Sequence, residues 1–316
     1  MKAKIHIIIV GLVLGACWVI LSATNSFQKL NNTTDSDTAA GRYMTGAENI
    51  VVPNNETYGV KLPQSISFAG EVVPLTDMDV RERLDRELIV NSYWHSSTIL
   101  MLKRANRWLP VIEPILKENG IPDDFKYLAM AESGLQDVVS SAGATGFWQF
   151  LKTAGKEFGL EINGEVDERY HVEKATEAAC DYLKKAYEKF GSWTMAAASY
   201  NMGMSGLQNQ IDRQKQNKYF DLLLSDETSR YVFRILAIKS IHTSPSDYGF
   251  NLPKDDLYQP YNYKLVSIEN EVSSWPDFCA ANKITYKELK MLNPWLREAD
   301  LKNAENREYK IKVLQK

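Results

Sequence analysis

Residues 131–150, AESGLQDVVSSAGATGFWQF, interrupt the helical pattern on either side of them. They follow an apolar run that starts at Phe125 and ends with one carboxylate, Glu132. If that run is helical, Leu128 and Ala129 lie on the same face as Glu132. A carboxyl against such a surface holds its proton more tightly, because desolvation disfavours the charged form. Glu132 is therefore a candidate general acid, with an exposed helix-end glutamate as the alternative.

The residues that follow Glu132 predict a groove for a sugar polymer. In GATGFWQF, Gly143 and Gly146 permit close approach of the backbone, and they stand beside aromatic rings and Gln149. SYNMGMSG, residues 199–206, repeats this combination of small, aromatic and amide residues. Aromatic faces stack on sugar rings, and neutral amides bind hydroxyl and acetamido groups. The alternative for each patch is a glycine-containing turn in a helical core.

The chain on both sides of these patches predicts a mainly α-helical fold. Apolar residues recur at three- and four-residue spacings in 79–93 and 96–120, and Gly120 is placed as a helix stop. Further helices are expected at 173–191, 192–203 and 226–243. No alternating strand pattern occurs between 78 and 243, so we expect a nearly all-α domain over that range.

The C-terminal part predicts a second, smaller domain. Residues 244–260 are rich in Pro, Tyr and Asp and are typical of a linker. Beyond them, YKLVSI and EYKIKVL alternate like strands, and WPDFCAANKI and TYKELKMLNP resemble two short helices. A βααβ unit is therefore expected over 261–316.

The N-terminus predicts export from the cytoplasm. Lys2 and Lys4 precede an apolar run from Ile5 to Ala23, which is typical of a signal peptide or a membrane anchor. Lipidation at Cys17 is the alternative. Residues 24–77, rich in Asn, Thr, Asp and Ser in their first half, predict a flexible linker.

Composition excludes some classes of function. The formal net charge is −3, which argues against a nucleic-acid-binding protein that depends on a basic surface. The chain has 16 Tyr, 11 Phe and 7 Trp, most of which are expected in the core. Cys17, Cys180 and Cys279 form neither a metal pattern nor a disulfide framework, and Cys180 is expected to be a buried free thiol. We expect no metal and no cofactor.

Four motifs in order, AMAESGLQ, SSAGATGFWQF, AAASYNMG and ETSRYV, resemble the lytic transglycosylases of the soluble-transglycosylase superfamily. The closest resemblance is to the membrane-bound murein transglycosylase D type, and it covers residues 78–243. Two departures, Phe147-Trp148 for Leu-Met and Ser199 for Ala, stand beside the motif residues. The resemblance implies a lysozyme-like α-helical catalytic domain.

The resemblance also implies a mechanism with one carboxylate. Glu132 would protonate the glycosidic oxygen after N-acetylmuramic acid and then accept the proton of that sugar's C6 hydroxyl, which closes a 1,6-anhydro ring. Gln149 and Asn201 would bind acetamido or hydroxyl groups, and Tyr231 would hydrogen-bond near Glu132. The remaining candidate substrate contacts, for which packing is the alternative role, are Ser133, Trp148 and Tyr200.

The C-terminal unit resembles a LysM carbohydrate-binding module through ITYKELKMLNP and YKIKV, although the usual Gly-Asp-Thr-Leu stretch is replaced by IENEVSSW. The expected partner is peptidoglycan, with membrane association through the N-terminus, no nucleic acid and a monomeric state. The expected location is the bacterial cell envelope, in the periplasm. Two other functions stay open: a hydrolytic muramidase with a second carboxylate, for which Asp167, Glu168 and Asp181 are candidates, and a catalytically silent glycan-binding scaffold.

Overall fold

The computed structural model describes residues 59–315. The predicted signal peptide or anchor over 1–23, Cys17 and the first part of the predicted linker therefore lie outside the described residues. Within residues 59–315, no helix combines the length and the apolar character needed to span a bilayer.

The prediction of a mainly α-helical fold with a small C-terminal βααβ unit is confirmed. The elements up to residue 243 are β1 Ser67–Phe68, β2 Glu71–Val72, α1 Met78–Tyr93, α2 His95–Glu118, α3 Lys126–Ser133, α4 Lys152–Glu157, α5 Val172–Phe190, α6 Trp193–Met202, α7 Met204–Gln214 and α8 Asp226–Thr243. Helices at the predicted ranges are α1, α2, α3, α5, α6 and α8, whereas α4 and α7 were not predicted from the sequence.

Helix α8 lies at the centre of this part of the fold and contacts α1, α3 and α6. It is apolar around most of its circumference, with Tyr231, Phe233 and Leu236 among its buried side chains, as expected for a helix covered on several sides. The buried Glu87 carboxylate of α1 accepts a hydrogen bond from Arg230 Nε of α8 at 2.7 Å. This ion pair ties α1 to the central helix.

Residues 59–77 are packed onto the helices, which corrects the prediction that the flexible linker extends to residue 77. The Phe68 ring is fully buried and contacts Phe125 edge-on, with ring centroids 5.1 Å apart. Ala69 N donates a hydrogen bond to Asp124 Oδ2 at 2.7 Å. Burial of an aromatic side chain gives this segment the apolar contact that a tether lacks.

Glu71, in the same segment, caps the N-terminus of α6. Its carboxylate accepts hydrogen bonds from Ser192 Oγ at 2.9 Å, Thr194 N at 3.1 Å and Thr194 Oγ1 at 2.7 Å, and also from Trp193 N. A negative charge at this end of a helix satisfies unpaired amides and complements the helix dipole.

Residues 244–260 are also more than the predicted linker, because they pack along α2. Tyr258 N donates to Lys103 O at 3.2 Å, and Asn106 Nδ2 donates to Tyr258 O at 3.1 Å. The Phe250 side chain is buried in the main core. The Pro-, Tyr- and Asp-rich composition predicted a linker but not these contacts.

The C-terminal domain consists of β3 Tyr263–Ile268, α9 Trp275–Ala281, α10 Tyr286–Leu292 and β4 Tyr309–Leu314. The strands are antiparallel, with Tyr263 opposite Leu314 and Ile268 opposite Tyr309. Thr285 and Glu288 form a capping box at the start of α10. This domain has its own core, which includes Trp275. Cys180 and Cys279 are both free and buried, which confirms the prediction for Cys180.

Candidate active site

A cleft of about 530 Å³ lies between the end of α3, the start of α8, the end of α6 and residues 134–151, which we call the cleft loop. Its lining includes Glu132, Gln149, Tyr182, Tyr200, Asn201 and Glu227. A larger surface cavity of about 850 Å³ runs along α2 at Pro110 and Pro114, but it holds none of the predicted site residues. We therefore assign the site by its chemistry rather than by its size.

Glu132 lies in the last turn of α3, as the apolar run predicted. The helix ends at Gly134, whose φ of 59° is left-handed and whose N–H donates to Met130 O. Leu128 and Ala129, four and three residues before Glu132, are fully buried. Burial raises the pKa of Glu132 to about 7 from an ordinary value of 4.5. The carboxyl is therefore partly protonated at neutral pH.

The hydroxyl group of Tyr231, on α8, donates a hydrogen bond to Glu132 Oε1. This bond and the positive charge of Arg234 lower the pKa of Glu132, whereas the negative charge of Glu227 raises it, and burial outweighs these effects. The pKa of Tyr231 is itself well above its usual range because of burial and the nearby Glu132 charge. Tyr231 thus stays a hydroxyl donor to Glu132 across the physiological pH range.

The cleft loop depends on glycines for its shape. Thr145 forms an isolated antiparallel bridge with Phe150. Gly146 has φ of 80°, and a Cβ there would lie 1.9 Å from the Arg169 carbonyl oxygen. The close backbone approach predicted for this stretch therefore occurs at Gly146. Gly143 has φ of 79° but no neighbour within 4 Å of such a Cβ, so only its backbone conformation calls for glycine.

Gln149 lines the cleft from the cleft loop and has a left-handed backbone, with φ of 51°. A non-glycine residue in this conformation is uncommon and is often functional. Its Nε2 donates to Gly146 O at 2.8 Å and to Val138 O at 3.1 Å, which fixes the orientation of the amide. The side-chain oxygen accepts no hydrogen bond from residues 59–315, so it is the atom open to a donor on a ligand.

Tyr200 and Asn201 reach the cleft from the last turn of α6. Tyr200 donates its hydroxyl to Trp148 O at 2.8 Å, so this side chain also supports the cleft loop. Asn201 Oδ1 accepts a hydrogen bond from Thr228 Oγ1 at 2.7 Å, and its Nδ2 donates to Glu227 Oε1 at 3.3 Å. Both residues line the cleft, but their side chains are already hydrogen-bonded to other parts of the protein.

Ser133 and Trp148 are among the predicted substrate contacts, yet neither lines the cleft. Ser133 Oγ donates to Phe147 O at 2.9 Å and accepts from Leu135 N at 3.1 Å, so it joins α3 to the cleft loop. The Trp148 ring is fully buried, and its Nε1 donates to Thr176 Oγ1 at 2.9 Å. Their positions favour the packing alternative for both side chains.

Glu227 is a cleft residue that the sequence reasoning missed as a candidate. It is exposed, lies in the first turn of α8 and precedes Tyr231 by four residues. Positions four apart share one face of a helix, so the motif ETSRYV contained the signal. Glu227 gives the cleft a second carboxylate.

The three acids that the sequence suggested as a second carboxylate lie outside the cleft lining. Asp167 binds Arg169 through both carboxylate oxygens, and Glu168 Oε2 accepts a hydrogen bond from Glu161 N at 2.7 Å. Asp181 is exposed on α5. Among residues 59–315, no group of three or more His, Cys, Asp or Glu side chains is arranged to hold a metal ion.

Two family descriptions match parts of the chain. Residues 110–223 match the transglycosylase SLT domain, and residues 264–316 match the soluble lytic transglycosylase C-terminal LysM-like domain. These matches confirm the family resemblance that the motifs predicted. Glu132, Gln149 and Asn201 fall inside the first match, whereas Glu227 and Tyr231 follow it.

Two curated relatives are membrane-bound lytic murein transglycosylases D, from Escherichia coli strain K12 and Escherichia coli O6:H1. Each is 27% identical over 228 residues, which is 70% of this chain and 49% of the relative. The chain thus spans about half the length of the curated relatives it matches. Among solved structures, an inactive mutant of lytic transglycosylase Slt from Pseudomonas aeruginosa aligns with a TM-score of 0.37 and 18% identity, covering 48% of this chain and 26% of that one.

Proposed function

We propose that this chain, which carries a transglycosylase SLT domain followed by a LysM-like C-terminal domain, is a peptidoglycan lytic transglycosylase. The observation that carries the proposal is the environment of Glu132. A carboxyl with a pKa raised to about 7 lies in an open cleft, and a buried tyrosine hydroxyl holds it. A general acid that works near neutral pH needs a pKa raised towards that pH and a position open to substrate.

In the proposed reaction, protonated Glu132 donates its proton to the glycosidic oxygen that follows N-acetylmuramic acid. The bond from C1 to that oxygen breaks, and positive charge develops on the ring. The Glu132 carboxylate then accepts the proton of the C6 hydroxyl on the same sugar, while O6 forms the new bond to C1. Atoms and charge balance without water, and Glu132 ends protonated again.

The other cleft residues serve binding and charge in this proposal. The free amide oxygen of Gln149 accepts a hydrogen bond from an acetamido N–H or a sugar hydroxyl. Tyr200 and Asn201 line the cleft from the end of α6, and Asn201 donates a hydrogen bond to Glu227. The Glu227 carboxylate, exposed at the cleft, stabilises the positive charge that develops on the ring. Tyr231 orients Glu132 for both proton transfers.

A hydrolytic muramidase is the second candidate function, and Glu227 is the observation that favours it. Glycosidases that use water commonly need two carboxylates, of which one activates the water or acts as nucleophile. Glu227 supplies the second carboxylate that the sequence search looked for at other positions. The two functions differ in the end group of the product, because hydrolysis adds one water and ring closure adds none.

Mass spectrometry of muropeptides released from purified peptidoglycan tests both functions. We expect products with a 1,6-anhydro-N-acetylmuramic acid end, lighter by one water than hydrolytic products. Glu132→Gln should lower the rate by about 10²–10⁴-fold or more, while Glu227→Gln should slow the reaction but keep the anhydro end. Reducing-end products that disappear in Glu227→Gln would identify a muramidase. No products, with the protein still sedimenting with peptidoglycan, would identify a glycan-binding scaffold.

We further propose that the protein acts in the bacterial cell envelope, in the periplasm, as a monomer, and that residues 1–23 serve either as a signal peptide or as an anchor that attaches it to the membrane. The apolar run after Lys2 and Lys4 supports this proposal, and so do relatives described as membrane-bound. Separation of membrane and soluble fractions tests it, since a chain without residues 1–23 should leave the membrane fraction.

A further inference from the structure

The C-terminal domain is bound to the catalytic part through residues 161–171, which we call the bridging segment. Val166 of this segment is fully buried in the core of the C-terminal domain. It forms an antiparallel bridge with Leu296, and Asp167 N donates to Trp295 O at 2.9 Å. The bridging segment thus supplies both a core side chain and backbone hydrogen bonds to the C-terminal domain.

Polar contacts on both sides of this bridge hold the C-terminal domain in one orientation. Tyr309 donates its hydroxyl to both carboxylate oxygens of Glu161, at 3.0 and 3.1 Å, and Arg307 Nη1 binds the same carboxylate at 3.2 Å. Lys312 Nζ pairs with Glu173 Oε1 at 2.6 Å. These contacts distinguish the domain from a module that moves freely on a linker.

The other face of the bridging segment holds the cleft loop. Arg169 Nε and Nη2 bind the two carboxylate oxygens of Asp167, at 2.9 and 2.7 Å. Arg169 Nη1 donates to Gly143 O at 3.1 Å and to Phe150 O at 3.3 Å. One guanidinium therefore joins the residue that binds the C-terminal domain to two carbonyl groups of the cleft loop, on either side of Gln149.

We propose that the C-terminal domain is a positioning element of the catalytic cleft, and that the Asp167–Arg169 pair transmits its docking to the cleft loop. The Trp295 carbonyl holds the backbone of Asp167, whose carboxylate orients the Arg169 guanidinium. Arg169 in turn holds the cleft loop that carries Gln149. The effect expected on the turnover of glycan strands rests on the proposed transglycosylase function, but the structural coupling between the C-terminal domain and the cleft loop does not.

The chemistry of arginine explains why this residue is placed here. A guanidinium is planar and offers several donors in fixed directions, so it can bind both oxygens of a carboxylate and still donate to other groups. Both Asp167 and Arg169 side chains are about nine-tenths buried, at 11% exposure each, which limits competition from water. A lysine offers a single nitrogen on a flexible stem and cannot span the same partners.

Hydrogen–deuterium exchange of the full chain tests the coupling without any substrate. The amides to follow are Thr145 N, bonded to Phe150 O, and Gly146 N, bonded to Val138 O. We expect Arg169→Gln to speed their exchange by about tenfold, the factor that a loss of about 1.4 kcal/mol produces. Arg169→Lys, which keeps the positive charge beside Asp167, should also speed the exchange of these two amides.

Leu296→Ala provides the decisive variant, because Leu296 lies in the core of the C-terminal domain and is not among the residues that line the cleft. We expect it to speed exchange in the cleft loop as well as in β3 and β4, while the amides of α8 keep their protection. Lys174→Gln, an exposed change just after the bridging segment, is the matched control and should leave the cleft loop unaffected. Faster exchange confined to the C-terminal domain, even if that domain unfolds, would overturn the proposal.

The same variants separate positioning from catalysis once turnover is measured. Arg169→Gln should raise KM for glycan strands with a smaller change in kcat, and the alkaline limb of the pH profile should stay in place, because Glu132 and Tyr231 are untouched. A fall in kcat with a shifted limb would contradict a positioning role. A protein that cleaves no peptidoglycan in any form would overturn the proposed function, and the exchange data would still decide the coupling.

Discussion

Replacement of Glu132 by glutamine should stabilise the protein at alkaline pH, which is the reverse of the usual effect of altering a hydrogen-bonded polar residue. Burial holds the pKa of Glu132 at about 7 in the folded chain, above its ordinary value of 4.5. The folded state therefore favours the protonated carboxyl. The resulting stabilisation is fully present below about pH 4.5 and is lost as the pH rises through about 7.

The size of the effect follows from the two pKa values. Each pKa unit corresponds to about 1.4 kcal/mol, so ionisation of Glu132 should cost the folded state about 3 kcal/mol by about pH 8. Glutamine has nearly the same shape, accepts the Tyr231 hydrogen bond through its amide oxygen and does not ionise. Relative to the natural protein, Glu132→Gln should thus gain about 3 kcal/mol between about pH 4 and pH 8.

Urea unfolding at both pH values gives the free energies of unfolding that this comparison needs. Glu188→Gln, the same substitution at an exposed position on α5, is the matched control. Titrating groups that do not interact with Glu132 contribute equally to the natural protein and the variants, so they cancel in the difference. A Glu132→Gln effect that is the same at both pH values would refute the reasoning, because it would mean that burial does not disfavour the charged carboxylate.

Two further predictions concern hydrogen bonds to carboxylates. Tyr231→Phe removes a hydrogen bond that lowers the pKa of Glu132. The alkaline limb of the pH profile of kcat/KM should therefore move up by about 1 pH unit or more. An unchanged alkaline limb would contradict the assignment of Glu132 as the acid. Glu87→Gln weakens the buried ion pair with Arg230 and should lower the free energy of urea unfolding by about 2 kcal/mol, whereas a change smaller than about 0.5 kcal/mol would show that the pair contributes little.

The sequence predicted the structural features that depend on local pattern. The apolar run from Phe125 required a helix that ends at Glu132, and the periodicity of 226–243 required a buried helix that carries Tyr231. Family motifs then placed Gln149 and Asn201 near Glu132, and all three line one cleft. These features were predictable because neighbours along a helix or within a motif determine them.

Side-chain direction inside the cleft loop was not predictable in this way. Trp148 and Gln149 are adjacent in the sequence, but the first is buried against Thr176 and the second lines the cleft. The left-handed backbone at Gln149 separates them, and nothing in the sequence fixes a left-handed conformation at a non-glycine residue. Glu227 was not among the candidates for a second carboxylate, although it lies four residues before Tyr231 and so shares a helix face with it.

Long-range packing was the other part that the sequence did not predict. Phe68 meets Phe125, and Tyr258 meets Lys103, through contacts between segments far apart along the chain. A Thr- and Asn-rich or Pro-rich composition shows where regular helices end. It does not show whether an irregular segment binds to the surface that it crosses.

The packing of residues 59–77 determines where a shortened form of this protein can begin. A chain that starts at Met78 retains every helix of the catalytic part, yet it loses the ring that covers Phe125 and the carboxylate that caps α6. Helix α6 carries Tyr200 and Asn201 at its other end. Loss of the N-terminal cap would therefore destabilise the helix that positions these two cleft residues. The smallest form with an intact cleft therefore includes residues that precede its first helix.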